Sequence, residues 1–504
     1  VGATDGQIDS TDQPTAALTE GEALGRKARR GAFYSLVGYG GGQVLRFVGN
    51  LVLTRLLFEE AFGLMSLVGV LLQGLELFSD VGIGPSIVQN ERSDAKFVDT
   101  AFSIQAIRGV LLSLVAVLVA FPAARFYDAP ELVYLVPVAG LTALIAGFNS
   151  TKYHTASRDL ALGRVMVVDL LSQFVGLVTM VAWALVDRSV WALLSGALAT
   201  AIARMVATHL VLPGRVNRFA WDRDALGALV RFGRWVFVST ALTFLTGYSV
   251  DRLVFGRLVP LDMLGIYHVA AMLAALPTTA LGHLAQQVVF PVYARVHLSG
   301  GDLQKVFRDA RLPIQIAAGW ALSGLIAGGP TAMRLIYDER WWGGGWVIQV
   351  LAAAAWFLVC ESTQGAALLA RGEARFVAAG SLAKLVAMVA CIVAGYLWFG
   401  FEGAVVGFAL SEVARYAVSV WAVRRVGLDA LGLDLGLTAF VALVGGGVWL
   451  AAEALHDVGV PVFAEALLVA LVVTLAWWPL ARRPLRELRE RRRVGRSESP
   501  ELSA

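Results

Sequence analysis

An all-α polytopic membrane protein is the fold class this sequence predicts, and three observations predict it. Hydrophobic residues make up 57% of the 504-residue chain and charged ones only 16%, against about a quarter charged in a soluble chain. Mean hydropathy is +0.68. The apolar residues gather into fourteen runs, each long enough, or nearly so, to cross a hydrocarbon core of about 30 Å. A soluble multidomain enzyme is excluded, because its surface needs more charge. A disordered chain is excluded by the apolar content. The net charge of +4 is too small to argue for nucleic acid. Cys360 and Cys391 both lie in apolar runs and offer no disulfide framework.

In chain order, residues 1–29 are polar and rich in Thr, Gly and Ala, which predicts a disordered cytoplasmic tail. It meets the basic cluster Arg26, Lys27, Arg29 and Arg30. The first span, 33–57, is too long for a signal-peptide core, and no small-residue cleavage site follows it. Spans two to six cover 62–85, 100–122, 131–150, 163–186 and 190–212. A cytoplasmic linker, 214–228, then leads to spans seven to twelve at 229–250, 263–290, 312–330, 346–370, 376–400 and 402–423. Spans thirteen and fourteen, 430–451 and 462–480, fill the segment 426–480, and a basic cytoplasmic tail follows over 481–504. The short segment Gly301–Arg311 is expected as one or two amphipathic turns on the inner surface, and the Arg-rich end against anionic lipid heads.

Basic residues orient these spans. With the N-terminus inside and fourteen crossings, 30 of the 42 Lys and Arg fall in cytoplasmic segments, seven outside and five within spans. Both termini are therefore expected in the cytoplasm.

The chain also repeats itself. Residues 50–63 (NLVLTRLLFEEAFG) and 252–265 (RLVFGRLVPLDMLG) match at a constant offset, pairing Arg55 with Arg257 and Gly63 with Gly265. Such a repeat predicts two pseudo-symmetric six-helix lobes, 30–213 and 229–425, around a central cavity, with two extra C-terminal helices outside the repeat. Rocking of one lobe against the other would give alternating access. Pro277, Gly282 and Pro291 interrupt the eighth span and are candidate hinge residues.

Ten charges lie within spans: Arg46, Arg108, Arg204, Lys384 and Arg415, with Glu76, Asp80, Asp169, Glu361 and Glu412. Each costs on the order of 3 kcal/mol at a lipid-facing helix centre, so they must face the protein interior or a wet cavity. Helical spacing agrees. Gln43, Arg46 and Asn50 share one face of the first span, Gln73, Glu76 and Asp80 one face of the second, and Asp169 and Gln173 one face of the fifth. Glu412 and Arg415, three residues apart, are placed to pair with each other. A structural salt bridge is the plain alternative for each charge taken singly. As a set, the cations suit a phosphate or diphosphate group in a substrate cavity. The carboxylates suit uptake of a proton or sodium ion.

No Walker A sequence, HExxH, CxxC or other clustered metal set is present, so ATP hydrolysis and a bound metal are not expected. Trp341, Trp342 and Trp346 read as an aromatic belt at the outer boundary. Gly38/Gly42 and Gly403/Gly407 read as close helix contacts.

Several stretches resemble a known family. LTRLLFEEAFGLMSLV at 53–68, LFSDVGIGPSIVQ at 77–89 and the run at 99–132 resemble the start of bacterial polysaccharide transporters. These are oligosaccharide flippases of the multidrug/oligosaccharidyl-lipid/polysaccharide exporter superfamily. VDRLVFGRLVPLDMLGIYHVA at 250–270 resembles the second-lobe counterpart. The resemblance implies a non-enzymatic flippase. It would move a lipid-diphosphate-linked oligosaccharide, usually on undecaprenyl, from inner to outer leaflet for O-antigen, capsule or exopolysaccharide synthesis. It implies ion gradients rather than ATP as driver, no cofactor, and a cavity with basic residues, a character matched by Arg46, Asn50 beside it, Arg108, Arg204, Lys384 and Arg415. A polymerase or glycosyltransferases of the same pathway are the expected partners. The alternatives are a cation-coupled multidrug exporter of the same superfamily and a membrane glycosyltransferase or ligase. Short outer loops argue against the latter.

Overall fold

The computed structural model describes residues 34–497 except 35–36, 81, 90–93, 160, 228, 230–236, 238–239, 241–249 and 285–288. Among the described residues the regular structure is helical throughout. Ten helices among the described residues are long and apolar enough to cross a membrane, or eleven if one bent pair counts as a span. The expected first span is helical over 37–56 (α1), and the expected seventh falls mostly outside the described residues. The eleventh and twelfth run as one helix broken by a single residue. The chain divides into two compact units, Val1–Leu57 with Leu71–Leu242, and Phe58–Val70 with Thr243–Ala504.

The first unit holds α1, the later part of α2 (Glu59–Leu77), α3 (Ile83–Gln89), α4 (Ala95–Phe126), α5 (Leu132–Gly147), α6 (Lys152–Arg158), α7 (Leu162–Val186) and α8 (Val190–Leu210). Lipid tails are as apolar as leucine, so helices here are held by close backbone approach. Gly109 of α4 lies against α5 so tightly that a Cβ would sit 2.7 Å from the Ala143 carbonyl oxygen. Gly176 of α7 and Gly196 of α8 face each other's carbonyls in the same way, with 2.8 and 2.7 Å available. Between α5 and α6 the chain bends by 58°. Asn217 Oδ1 accepts from Ser150 Oγ at 2.7 Å and Thr151 N at 3.2 Å, satisfying donors freed by that bend. The expected cytoplasmic linker is strapped down here. The backbone N–H groups of Arg218, Ala220 and Asp222 donate to Asp99 Oδ1, Ser103 Oγ and Thr100 Oγ1 of α4, at 3.1, 3.0 and 3.2 Å.

The second unit begins, after the early part of α2, with α9 (Val250–Leu258) and α10 (Leu261–Leu284). Then come α11 (Phe290–Leu298), α12 (Leu303–Ile336), a 3₁₀ turn (Glu339–Gly344), α13 (Gly345–Ala370), α14 (Ala374–Arg425), α15 (Leu431–Asp457) and α16 (Val462–Ser497). Gly400 (φ 63°, ψ −145°) breaks α14 into two legs. They fold back on each other with Gly403 against Gly395 O and Gly407 against Cys391 O, the close contact expected of that glycine pair. The internal repeat has a physical form. A Cβ on Gly63 would meet Leu261 O at 2.0 Å, and one on Gly265 would meet Glu59 O at 2.0 Å. Glu59 and Leu261 are themselves repeat-related, so the matched glycines make one reciprocal contact.

α12 is the hub of this unit. A buried stripe with one residue per turn, Arg311, Gln315, Gly319, Ser323, Ala327 and Thr331, runs along it. Arg311 Nη2 lies 2.9 Å from both carboxylate oxygens of Asp434 on α15, and Gln315 Nε2 donates to Asp434 Oδ1 at 2.8 Å. Gln364 of α13 and Tyr416 of α14 donate to Asp434 Oδ2 at 2.9 and 3.0 Å. One turn on, the Trp477 indole of α16 fills the groove over Gly319 and donates to Ser323 Oγ at 2.8 Å. Thr331 bonds Glu465 at the far end of α16. The two C-terminal helices are thus bolted to α12 along its length, around an apolar core that includes Leu322, Trp356, Val441 and Val473.

Three expectations need correction. Residues 303–311 are not a separate surface turn. They are the first turns of α12, capped by Asp302 Oδ1 accepting from Lys305 N at 3.1 Å. Trp341 is not a belt residue but is fully buried, edge-on to Phe62 at 5.2 Å, whereas Trp342 remains 42% exposed. Pro277 does not interrupt α10, which continues through it past Gly282, because neighbouring groups can satisfy the carbonyl a proline frees. Pro291 sits in the first turn of α11, where a proline costs nothing.

Gly63→Ala and Gly265→Ala should each lower the thermal midpoint of the purified chain in detergent, since overpacking costs about 1–3 kcal/mol. Gly69→Ala, on the same α2 with open space at its Cβ, should be neutral or stabilising.

Candidate functional site

The intramembrane charges fall into two settings. In the first unit they line cavities. One cavity, of about 380 Å³, is bounded by Glu76 and Asp80 at the end of α2, Arg108 of α4, Tyr153 and His154 of α6, and Arg204 of α8. Another, of about 490 Å³, is bounded by Arg46 and Asn50 of α1, Asp169 and Gln173 of α7, Thr200 and again Arg204. Both volumes fall in the range of small-ligand sites.

Each cation is held by something. Arg108 donates through Nη2 to Glu76 O at 2.7 Å and through Nε to Ser79 Oγ at 3.0 Å. It therefore caps the carbonyl end of α2, where a cation is favoured by the helix dipole. Asp80 turns back to accept from Gly82 N at 2.9 Å. Arg46 Nε donates to Gly42 O one turn earlier at 3.3 Å, and its exposed guanidinium reaches the second cavity.

Arg204 belongs to both cavities. Its Nη2 lies 2.8 Å from Asp169 Oδ1 and 3.0 Å from Tyr153 OH. The Tyr153 hydroxyl donates to Asp169 Oδ2 at 3.0 Å, and the guanidinium stacks 5.0 Å from the Tyr153 ring. The Arg204 side chain remains 42% exposed within this triad. One face is fixed by the carboxylate and the ring, and the rest is open to an incoming anion. Tyr153 is a site residue the sequence reading missed. It sits on α6, beyond the bend that ends the fourth span.

The second unit encloses its charges. Lys384, on the first leg of α14, approaches Glu412 Oε1 on the second leg to 2.5 Å, with side chains 2% and 1% exposed. This is a buried contact ion pair. Arg415 Nη2 reaches Glu361 Oε2 of α13 at 2.9 Å, and Glu361 is 5% exposed. The expected Glu412–Arg415 pair along one helix is therefore replaced by two pairs between helices. Both side chains do share a face of α14, but the packed neighbours bring Lys384 and Glu361 closer. With Arg311–Asp434, three buried ion pairs tie this unit together. Arg311 was expected on the inner surface, as the last residue of the segment Gly301–Arg311. The four-residue spacing of Arg311, Gln315, Gly319 and Ser323 was the signal that could have found it.

The comparisons with known proteins bear on the family and the fold. A family model described as "Polysaccharide biosynthesis protein" matches residues 52–344. The chain is 24% identical over 371 residues to the succinoglycan biosynthesis transport protein ExoT of Rhizobium meliloti, covering 72% of this chain and 74% of that one. It is 21% identical over 380 residues to the lipopolysaccharide biosynthesis protein WzxC of Escherichia coli, covering 74% and 76%. It is 21% identical over 300 residues to the teichuronic acid biosynthesis protein TuaB of Bacillus subtilis, a match spanning 59% of this chain and 62% of that protein's length. In fold it is similar to the lipid II flippase MurJ in an inward closed conformation (TM-score 0.72, 11% identity, 91% of this chain and 99% of that one). It is also similar to an inward-facing MATE multidrug transporter (TM-score 0.58, 13% identity, 76% and 94%).

Breaking a buried pair leaves an uncompensated charge, at a cost of about 3–5 kcal/mol. Glu361→Ala and Arg415→Ala should each unfold the purified chain at a clearly lower temperature. The double change Glu361→Leu with Arg415→Met should recover much of that loss. Calorimetry in detergent distinguishes the three.

Proposed function

The chain belongs to the polysaccharide biosynthesis protein family, and from that premise we propose that it is a flippase for a lipid-diphosphate-linked oligosaccharide. The carrier on this reading is undecaprenyl, the direction inner to outer leaflet, and the product a precursor of O-antigen, capsule or exopolysaccharide. The observation that carries the reading is the pair of polar cavities in the first unit, lined by Arg46, Arg108 and Arg204 among otherwise apolar helices. A diphosphate is a doubly charged, oxygen-rich group, and planar guanidinium forks suit it better than any other side chain.

Ion coupling follows from the same geometry. Asp169 holds Arg204 from one side, and a phosphate arriving from the other competes for that guanidinium. Protonation or sodium binding at Asp169 would release Arg204 to the substrate, and Glu76 and Asp80 line the other cavity that Arg204 borders. No bond is made or broken in this scheme. Alternating access of the two lobes does the work, within the inner membrane and with both termini cytoplasmic, as the basic-residue bias supports. A pathway polymerase would take the product on the outer side. A multidrug exporter is the weaker reading, because three arginines repel an organic cation.

In a deletion strain complemented with Arg108→Ala or Arg204→Ala, export of surface glycan should fall roughly ten- to a hundredfold, the size of one lost charge-assisted hydrogen bond. Membrane abundance should be unchanged, and lipid-linked oligosaccharide should accumulate in the inner leaflet. Normal surface glycan in both variants would overturn the cavity assignment.

A further inference from the structure

The linker from Arg215 to Arg223 is unusual for a connection expected to lie in water. Val216, Phe219 and Trp221 are 67%, 69% and 60% exposed, and Arg215, Arg218 and Arg223 are exposed among them. The segment is not loose, because its backbone is strapped to α4 by Asp99, Thr100 and Ser103. Strapping fixes Phe219 so that its ring lies 5.3 Å from that of Phe102.

Phe102 is one wall of a shallow apolar groove of about 420 Å³, completed by Phe148, Met205, Val206 and Leu210. The base of the groove is tied by two hydrogen bonds. The His209 ring nitrogen Nε2 is 2.9 Å from Phe148 O, and Lys152 Nζ donates to His209 O at 3.0 Å, closing the carbonyl end of α8. The groove is distinct from the polar cavities. Gly147 and Asn149 face a cavity while Phe148 faces the groove, and Arg204 faces the cavity while Met205 faces the groove.

An apolar groove whose Phe102 wall is packed by Phe219, on a strap that carries exposed Arg215 and Arg218, has the chemistry of a lipid head-and-tail site at a membrane interface. Arg215 touches Asp99 Oδ2 at only 3.5 Å and keeps a 57% exposed side chain. Asp222, the nearest acid on the strap, is turned to Ala225 N at 2.7 Å. We propose that the groove and the strapped linker form a binding site for one anionic phospholipid of the bilayer. Its acyl chain lies against Phe102, Met205 and Val206, and its phosphate lies on Arg215 and Arg218. This inference rests on the membrane reading of the chain and not on the transported substrate.

Native mass spectrometry of the full chain in detergent, titrated with dioleoylphosphatidylglycerol or dioleoylphosphatidylcholine, tests it. The wild type should retain the phosphatidylglycerol preferentially. Arg215→Gln with Arg218→Gln should weaken that binding on the order of tenfold, as should Val206→Trp, which fills the groove from an exposed position. Arg215→Lys with Arg218→Lys should retain it, which separates charge from folding. Equal binding of the two lipids, or phosphatidylglycerol binding indifferent to both the Gln and the Trp changes, would overturn the site. A third titration with undecaprenyl phosphate distinguishes the transported carrier. Binding of that lipid, lost with the same arginines and without a phosphatidylglycerol response, would assign the groove to the substrate and refute a bilayer-lipid site.

Discussion

A charge inside a bilayer must find its counter-charge within the protein, and the architecture of the second unit follows from that constraint. Arg311 and Asp434 are wholly buried and bonded to each other. Neither can be exposed to lipid without a cost of several kcal/mol. Their pairing pins α15 against α12. Gln315, Gln364 and Tyr416 satisfy the remaining lone pairs of Asp434, as a buried carboxylate requires. Once α15 is held, α16 packs beside it with Trp477 over Gly319. The two C-terminal helices are therefore integral to this unit and not an appendage.

The two units use the same residue types for opposite ends. In the second, Lys384, Glu412, Arg415 and Glu361 pair across helices and leave little of themselves exposed. Such pairs hold geometry but offer nothing to a ligand. In the first, Arg46, Arg108 and Arg204 are steadied by backbone carbonyls or one carboxylate and still face open space. Steadying on one side and openness on the other is what anion recognition needs, since an arginine already oriented loses less entropy on binding.

Much of this was legible in the sequence, for physical reasons. Hydropathy reports the solvent, so an all-helical membrane fold could be read from composition. The cost of charge in lipid singled out Arg46, Arg108, Arg204 and Asp169, and these line cavities of the first unit. The glycine match at 63 and 265 was informative because only glycine allows a helix carbonyl so close. Other features were hidden because they depend on neighbours distant in the chain. Arg311 lies in a polar-looking stretch whose burial is decided by Asp434, 123 positions away. Tyr153 follows a bend that only the packing of α6 against α7 places beside Asp169. Glu412 found Lys384 instead of its helical neighbour because interhelical distances are not encoded in local spacing.

On the proposed function, the substrate's charged group travels past the arginines of the first unit. A photoreactive lipid-linked oligosaccharide, with its reactive group next to the diphosphate, tests this most directly. It would be cross-linked to the full chain in native membranes and the adducts mapped by peptide mass spectrometry. Adducts are predicted on peptides carrying Glu76 to Pro85, Gln105 to Leu112 and Asn149 to His154, the walls of the Arg108–Arg204 cavity. Adducts confined to peptides carrying Glu361, Lys384 and Arg415 would contradict it.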